Sequence, residues 1–312
     1  MTELLHKRVV IFSDEPGWHG RQLKKHFAEF GFDSGFVSLS DCSICLDNAS
    51  GKIEETLIIP GFKLNQLRGA FVRGVPGGTL EQVIQRLNIL HALSELGTPV
   101  FNDGRAIERT VDKAMTSFLL KRHGLPTMDT WITESKATAA EIAGECIRKN
   151  GAVVAKPLFG SQGKGVVQIN TMEEFERFQP VNDVYYLQSY VRPVGQTFRD
   201  WRVFVINGKT VGAMQRSSRH WVTNRAQGAE CEPIQAEPGM TRLAEAAAAA
   251  LNVDYAGVDL MRDVDGQWWV NEVNGIPAWQ GLQRACKTNV TQLLVEAFLQ
   301  KSDRSQTTVA IA

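Results

Sequence analysis

The sequence predicts an α/β domain followed by an α+β region, and three observations predict it. Short apolar strands alternate with amphipathic helices through roughly the first 105 residues, the pattern of a parallel sheet. Further on, Val153-Val154-Ala155-Lys156 and Val166-Val167-Gln168-Ile169 flank a loop that holds Gly160, Gly163 and Gly165. In the last third, Asn207-Gly208 and Asp265-Gly266 each join two apolar runs, the signature of antiparallel hairpins.

The first strand is Arg8 to Phe12, followed by a polar loop and a helix over residues 22–30 that Gly31 stops. Strands follow near residues 35–37 and 69–73, then a helix over 80–96 that leads to Val100-Phe101-Asn102. His19, Arg73 and Asn102 each follow a strand end, where ligands of α/β sheets gather, although ordinary loop residues stand there too. Residues 110–120 have helical spacing and stop at Gly124-Leu125-Pro126. Helices over 137–150 and 173–178 bracket the glycine-loop hairpin, and residues 184–191 form a strand. After the Asn207-Gly208 hairpin comes a polar segment, residues 216–228, too long for a tight turn. Helices over 241–251 and 289–300 frame the second hairpin, and the chain from 302 reads as a loose tail.

The glycine loop suits an anion. Glycines let the backbone approach a phosphate closely and aim N–H groups at it, and Lys156 adds a point charge at its edge. It is not a P-loop, because Gly163-Lys164-Gly165 runs into a strand rather than a helix. A flexible hairpin tip would have the same composition. If Asp265-Gly266 is a two-residue turn, Asp259 lies directly opposite Glu272, with Cβ atoms about 4.5–5.5 Å apart. Two carboxylates so placed among apolar neighbours repel, and a hard divalent cation relieves them. Asn274 shares their face, and carboxylate, carboxylate and amide oxygen suit Mg²⁺. A solvated strand face is the alternative, and a one-residue shift in the turn would separate the acids.

Lysine plus arginine and aspartate plus glutamate both number 34, so the net charge of zero argues against nucleic acid or an anionic membrane as partner. No apolar run reaches about 18 residues and no signal-peptide core opens the chain, which points to the cytoplasm. Five cysteines fit a reducing compartment, and Cys42-Ser43-Ile44-Cys45 has no second pair to complete a zinc site.

With the lysine, the glycine loop and the acid–acid–amide hairpin in this order, the chain resembles the ATP-grasp superfamily, and within it the RimK-type α-L-glutamate ligases. The motifs are Asp112-Lys113, Lys156-Pro157 with Gly160-Ser161-Gln162-Gly163, Gln188-Ser189-Tyr190-Val191 and Asp200-Trp201-Arg202-Val203. The loop 216–228, Gly257-Val258-Asp259 and Asn271-Glu272-Val273-Asn274 complete the set. The resemblance implies an ATP-grasp fold in three parts: a Rossmann-like pre-ATP-grasp domain (1–108), a central lid (109–187) and a C-terminal antiparallel-sheet subdomain (188–302), with 303–312 as tail.

By the same resemblance Lys113 and Lys156 hold ATP phosphates with Gly160, Ser161, Gln162 and Gly163, while Gln188, Ser189, Tyr190 and Val191 meet adenine. Asp259, Glu272 and Asn274 would bind Mg²⁺, or Mn²⁺ in its place. Arg202 and Arg225 would act catalytically, and Asn224 would join the phosphate and acceptor contacts. The implied reaction activates a carboxylate as an acyl phosphate and joins it to an amine, L-glutamate in this family; the family also tends towards dimers or tetramers. Where the family commonly has Ala-x-Pro-Gly after the metal asparagine, this chain has Gly275-Ile276-Pro277-Ala278-Trp279, similar to a branch linked to tetrahydromethanopterin and methylofuran. That implies a small pterin-like or furan-like acceptor and counts against a ribosomal protein. An ATP-grasp kinase, a ligase acting on a protein C-terminus and a non-catalytic nucleotide sensor are the rival readings.

Overall fold

Val9, Val10, Ile11 and Phe12 are fully buried, as an apolar run in a sheet covered on both faces must be. They belong to β1 (Arg8–Phe12) in a computed structural model that describes residues 7–46, 56–160, 163–192, 198–221, 223, 229–286 and 288–309. The chain continues through α1 (Gly17–Glu29), β2 (Asp33–Val37), two short strands β3 (Ser43–Ile44) and β4 (Leu57–Ile58), and β5 (Leu67–Val72). Then come α2 (Leu80–Glu95), opened by a Thr79–Gln82 capping box, and β6 (Val100–Phe101). The sheet order is β2-β1-β5-β6 and every pair is parallel, as the alternation of strands and helices predicts.

Two compact units divide the chain. The first comprises Met1–Ile107, Val253–Tyr255 and Gly275–Ala312; the second comprises Glu108–Asn252 and Ala256–Asn274.

The expected single helix over residues 110–120 is two helices, α3 (Gly104–Val111) and α4 (Lys113–Arg122). Asp112 breaks it: in an extended conformation it caps α4, its Oδ1 accepting the N–H groups of Ala114 at 2.9 Å and Met115 at 3.1 Å. Next are β7 (Thr130–Thr133), α5 (Lys136–Asn150), β8 (Val153–Lys156), β9 (Val167–Ile169), α6 (Met172–Arg177) and β10 (Tyr185–Ser189). They give an antiparallel sheet in the order β7-β10-β8-β9 with α5 and α6 packed around a common core that includes Ala143, Val153 and Phe175.

The second unit ends in a five-stranded sheet, β13-β12-β11-β14-β15, built from β11 (Phe198–Ile206), β12 (Lys209–Ser218), β13 (Glu230–Ile234), β14 (Tyr255–Arg262) and β15 (Trp268–Asn274). Helix α7 (Pro238–Leu251) packs on it through buried alanines. The Asn207-Gly208 turn has positive φ at both residues, the type I′ geometry its sequence predicts. The second hairpin differs from the prediction: Asp263 pairs with Gln267, so the loop has the three residues Val264, Asp265 and Gly266. Gly266 takes φ +79°, the left-handed position that closes such a loop.

The chain then returns to the first unit with α8 (Gln280–Ala285) and α9 (Val290–Val309). Helix α9 runs well past residue 300 and through most of the predicted tail; Ser302 and Ser305 satisfy their hydroxyls on carbonyls one turn back. Phe298 from α9 joins Phe27, Phe71, Phe101 and Tyr255 in an aromatic cluster. Asn102 is a structural residue, not a ligand contact. It is fully buried, donates to the carbonyls of Tyr255 (2.8 Å) and Gly275 (2.6 Å), and accepts the N–H groups of Asp254 and Tyr255. Asn102→Ala strands four buried backbone groups and should destabilise the chain by roughly 3 kcal/mol in urea unfolding; a loss below about 1 kcal/mol would contradict this role.

None of the five cysteines forms a disulfide, and burial pushes the Cys42 thiol up to about 12. Among the described residues no helix is long and apolar enough to cross a membrane.

Candidate active site

Within the second unit, the two sheets line a cavity of about 420 Å³. Lys113, Lys156, Gly160 and Gly163 line it, as do Gln188, Ser189, Tyr190 and Val191 at the end of β10. Asp259 and Glu272 face it from the last hairpin. Asn274 and Arg202 are not among its lining residues. Ser161, Gln162, Asn224 and Arg225 lie outside the described residues.

The break at Asp112 decides where Lys113 points. As the first residue of α4, Lys113 donates through its backbone N–H to Leu158 O at 3.4 Å and through Nζ to Gly160 O at 2.9 Å. Burial lowers its pKa, against the pull of Glu272 and Asp112. Lys156 ends β8, with Nζ donating to Gln188 Oε1 (2.6 Å) and Asn271 Oδ1 (3.0 Å). Burial brings Lys156 down to about 8, with Glu272 opposing and Lys113 adding to the shift. Two ammonium groups and a carboxylate therefore act on one another across a single cavity. Between β8 and β9 the loop takes positive φ at Gly163 (70°) and Gly165 (72°), and Gly163 lines the cavity.

Asp259 and Glu272 pair directly, as predicted, and Asn274 pairs with Gly257 on the same side of the ladder. A bulge makes this so. From the turn, Arg262 faces Trp268 and Leu260 faces Val270, yet Asp259 faces Glu272, so Asn271 is the extra residue. The bulged residue is the one that holds Lys156.

The structure adds an ionic network that sequence reasoning missed. Asp200 on β11 binds Arg216 on β12 through two bonds of 2.5 and 2.7 Å, and Thr223 donates to the same carboxylate. Asp259 receives Arg202 Nε and Nη2, each at 2.7 Å, and Arg216 Nη2 at 2.9 Å. Burial would raise the Asp259 carboxyl, but the two guanidiniums overcome it and hold the group below the usual range. Two acids face two arginines, so their formal charges balance. The motif Asp200-Trp201-Arg202 and the first residue of the loop 216–228 carried its members, but nothing in the sequence paired them. Asp200→Ala leaves buried Arg216 half-paired and should cost about 3 kcal/mol of stability, read by urea unfolding.

Glu272 has no arginine or lysine within ion-pair distance among the described residues, which also hold no cluster of three or more histidine, cysteine, aspartate or glutamate side chains fit for a metal. The donor set still fits a hard cation. Of the lone pairs of Asp259, Oδ2 uses two and Oδ1 uses one, which leaves one free. Asn274 turns Nδ2 to Gly257 O at 3.4 Å, which frees its amide oxygen. With Glu272 that makes three oxygen donors.

The family model of the RimK-like ATP-grasp domain matches residues 110–298, more than half of the chain. The chain belongs to the RimK-like ATP-grasp family. It is similar to the tetrahydromethanopterin:α-L-glutamate ligase of Methanococcus maripaludis, with 31% identity over 94% of this chain and 98% of that protein. It is also similar to the α-aminoadipate–LysW ligase LysX of Saccharolobus solfataricus, with 32% identity over 65% of this chain and 75% of that one. Among solved structures, the ATP-grasp ligase PsnB complexed with a minimal precursor, Mg and ADP aligns at a TM-score of 0.71 and 17% identity, covering 96% of this chain and 99% of that one. The RimK-domain ATP-grasp protein of Sphaerobacter thermophilus aligns at 0.65 and 20% identity, covering 94% and 99%. The fold of this RimK-like chain is thus the ATP-grasp fold, and the chain is a carbon–nitrogen ligase.

Proposed function

We propose that the chain joins L-glutamate to a small-molecule carboxylate, using ATP and Mg²⁺ and passing through an acyl phosphate. The observation that carries this reading is the meeting of Lys113, Lys156 and Glu272 in one cavity beside the glycine loop. A nucleotide triphosphate is the ligand that such a loop, two ammonium groups and an oxygen-donor set suit together. The similarity to a tetrahydromethanopterin:α-L-glutamate ligase along nearly the whole chain supports glutamate and a small acceptor.

In this reading Lys113, Lys156 and residues 160–163 hold the phosphates, and the backbone from Gln188 to Val191 meets adenine. Glu272, Asn274 and Asp259 Oδ1 would hold Mg²⁺, which neutralises phosphate charge when bound. The acceptor carboxylate attacks the γ-phosphorus and ADP leaves; the glutamate amine then attacks the activated carbonyl, forms the C–N bond and expels phosphate. Arg225 and Asn224 would contact the acyl phosphate and acceptor, and Arg202, held by Asp259, would act in this set by fixing that carboxylate.

The test is an ADP-release screen of furan and pterin carboxylates, each with and without L-glutamate, with product masses recorded. Expected is ADP release together with a product heavier by one glutamyl residue. A stable phosphorylated product formed without glutamate would establish a kinase instead. Peptides ending in a free carboxylate belong in the same screen, because a ligase acting on a protein C-terminus is a rival reading.

A further inference from the structure

In the first unit, a group of side chains gathers where β1 and β5 end side by side. The chain leaves β1 for β2 on one side and reaches β5 on the other, so strand order reverses there. Parallel α/β sheets bind ligands at such reversals, beyond the carboxyl ends of the strands.

Arg73 follows β5 directly, and His19 stands in the first turn of α1. His19 Nε2 accepts two backbone N–H groups, from Trp279 at 3.2 Å and Gln280 at 3.3 Å. Its proton must therefore sit on Nδ1, and this N–H has no acceptor among the described residues. Burial and the neighbouring Arg73 hold the ring at about 4, so it is a neutral donor near pH 7.

Arg73 is half-buried, with its guanidinium over the Trp279 ring at 4.9 Å. It gives one long bond, 3.4 Å, to Pro277 O and reaches the Tyr255 hydroxyl. No carboxylate lies within ion-pair distance of it among the described residues. Asp14, two residues beyond β1, accepts the Ser38 hydroxyl at Oδ1, and its Oδ2 lies on the side of Gly74. A guanidinium with five donors, fixed by stacking and supplied only with neutral acceptors, is arranged for an anion. Trp279 is fully buried and serves as the platform, whereas Trp18, half-buried with its ring 5.1 Å from His19, still offers ring surface.

We propose that this corner binds the carboxylate of a ring-bearing organic ligand, with Arg73 and His19 Nδ1–H as donors and the Trp18 indole against the ring. That the ligand is the acceptor of the ligation rests on the function proposed above; the carboxylate subsite itself rests on this geometry.

Titration calorimetry of the full chain with pteroyl-L-glutamate, and with tri-L-glutamate as a ring-free polycarboxylate, tests it. Wild type should bind pteroyl-L-glutamate more tightly than the peptide. Arg73→Met should weaken it at least about tenfold, and Arg73→Lys by less, because the ammonium keeps the charge but loses the fork. Trp18→Ala should bring its affinity towards that of the peptide. Unchanged ADP affinity in every variant shows that the chain is folded.

The proposal falls if wild type binds neither probe or if Arg73→Met binds within twofold of wild type. Equal affinity for both probes removes the ring from it. Arg73-dependent binding without amide formation in the ADP-release screen would overturn the proposed acceptor and leave the subsite standing. Amide formation whose acceptor KM is untouched by Arg73→Met would do the reverse.

Discussion

Glu272→Gln is expected to lower ATP-dependent amide formation by at least about a thousandfold without unfolding the chain. The reason is the distribution of charge around the cavity. Asp200 and Asp259 are matched by Arg202 and Arg216, so their negative charge is consumed within the protein. Glu272 has no such partner among the described residues, and it lowers the energy of both lysine ammonium groups across the cavity. It is the carboxylate available to a cation that would bridge protein and phosphate. Glutamine keeps its size and one oxygen but loses the charge, so the loss falls on metal and phosphate binding rather than on packing. Urea unfolding of nucleotide-free protein should shift by less than about 1 kcal/mol, as is usual where no buried partner is stranded. Retention of a tenth or more of the turnover would remove Glu272 from the proposed metal set.

ADP affinity should weaken as the pH rises past about 8, because burial brings Lys156 down to that value in the free chain. Below it the ammonium is already present and binds phosphate directly. Above it the free chain holds neutral Lys156, and binding must take up a proton, so affinity falls by about tenfold per pH unit. The same shift acts on stability with a defined sign. The folded pKa lies below that of the unfolded chain, so between about 8 and the ordinary lysine value the unfolded state binds more protons. This group's contribution to stability therefore rises with pH across that window. Lys156→Met should weaken ADP binding at pH 7 by about a hundredfold and flatten the alkaline dependence. Calorimetric titrations at four pH values between 7 and 10 would show both effects. A dependence that survives in Lys156→Met would assign it to another group.

The acidic hairpin shows how far sequence reasoning reaches. Counting outward from a two-residue turn predicts that Asp259 opposes Glu272. The pairing is present, but the turn has three residues, which would misplace the acids by one position. The bulge at Asn271 restores the register. Turn composition reveals that a hairpin exists; it does not reveal a bulge, because an extra residue is selected by what its side chain meets across the fold. Here that is Lys156 Nζ, 115 positions away.

Asp112 is a similar case on a smaller scale. Apolar spacing carries through it, so periodicity alone joins two helices that the aspartate separates. Its capping bonds to Ala114 and Met115 are local, and an aspartate followed by a fresh helical turn is a readable signal. His19, Arg73 and Asn102 follow strand ends alike in the sequence, yet Asn102 is consumed by four backbone groups while His19 and Arg73 share a corner. Only the partners distinguish them.

What the chain's own order determined was the kind of parts. Alternating strands and helices specified the parallel sheet, Gly163 and Gly165 the positive-φ positions of the loop, and Asn207-Gly208 the tight hairpin, because each follows from local sterics and burial period. The tertiary structure alone decided which charges cancel. Asp259 reads as a free ligand beside Glu272 in the sequence, but β11 and β12 bring Arg202 and Arg216 against it. Coulomb energy depends on distance and local dielectric, and neither is set until distant strands pack.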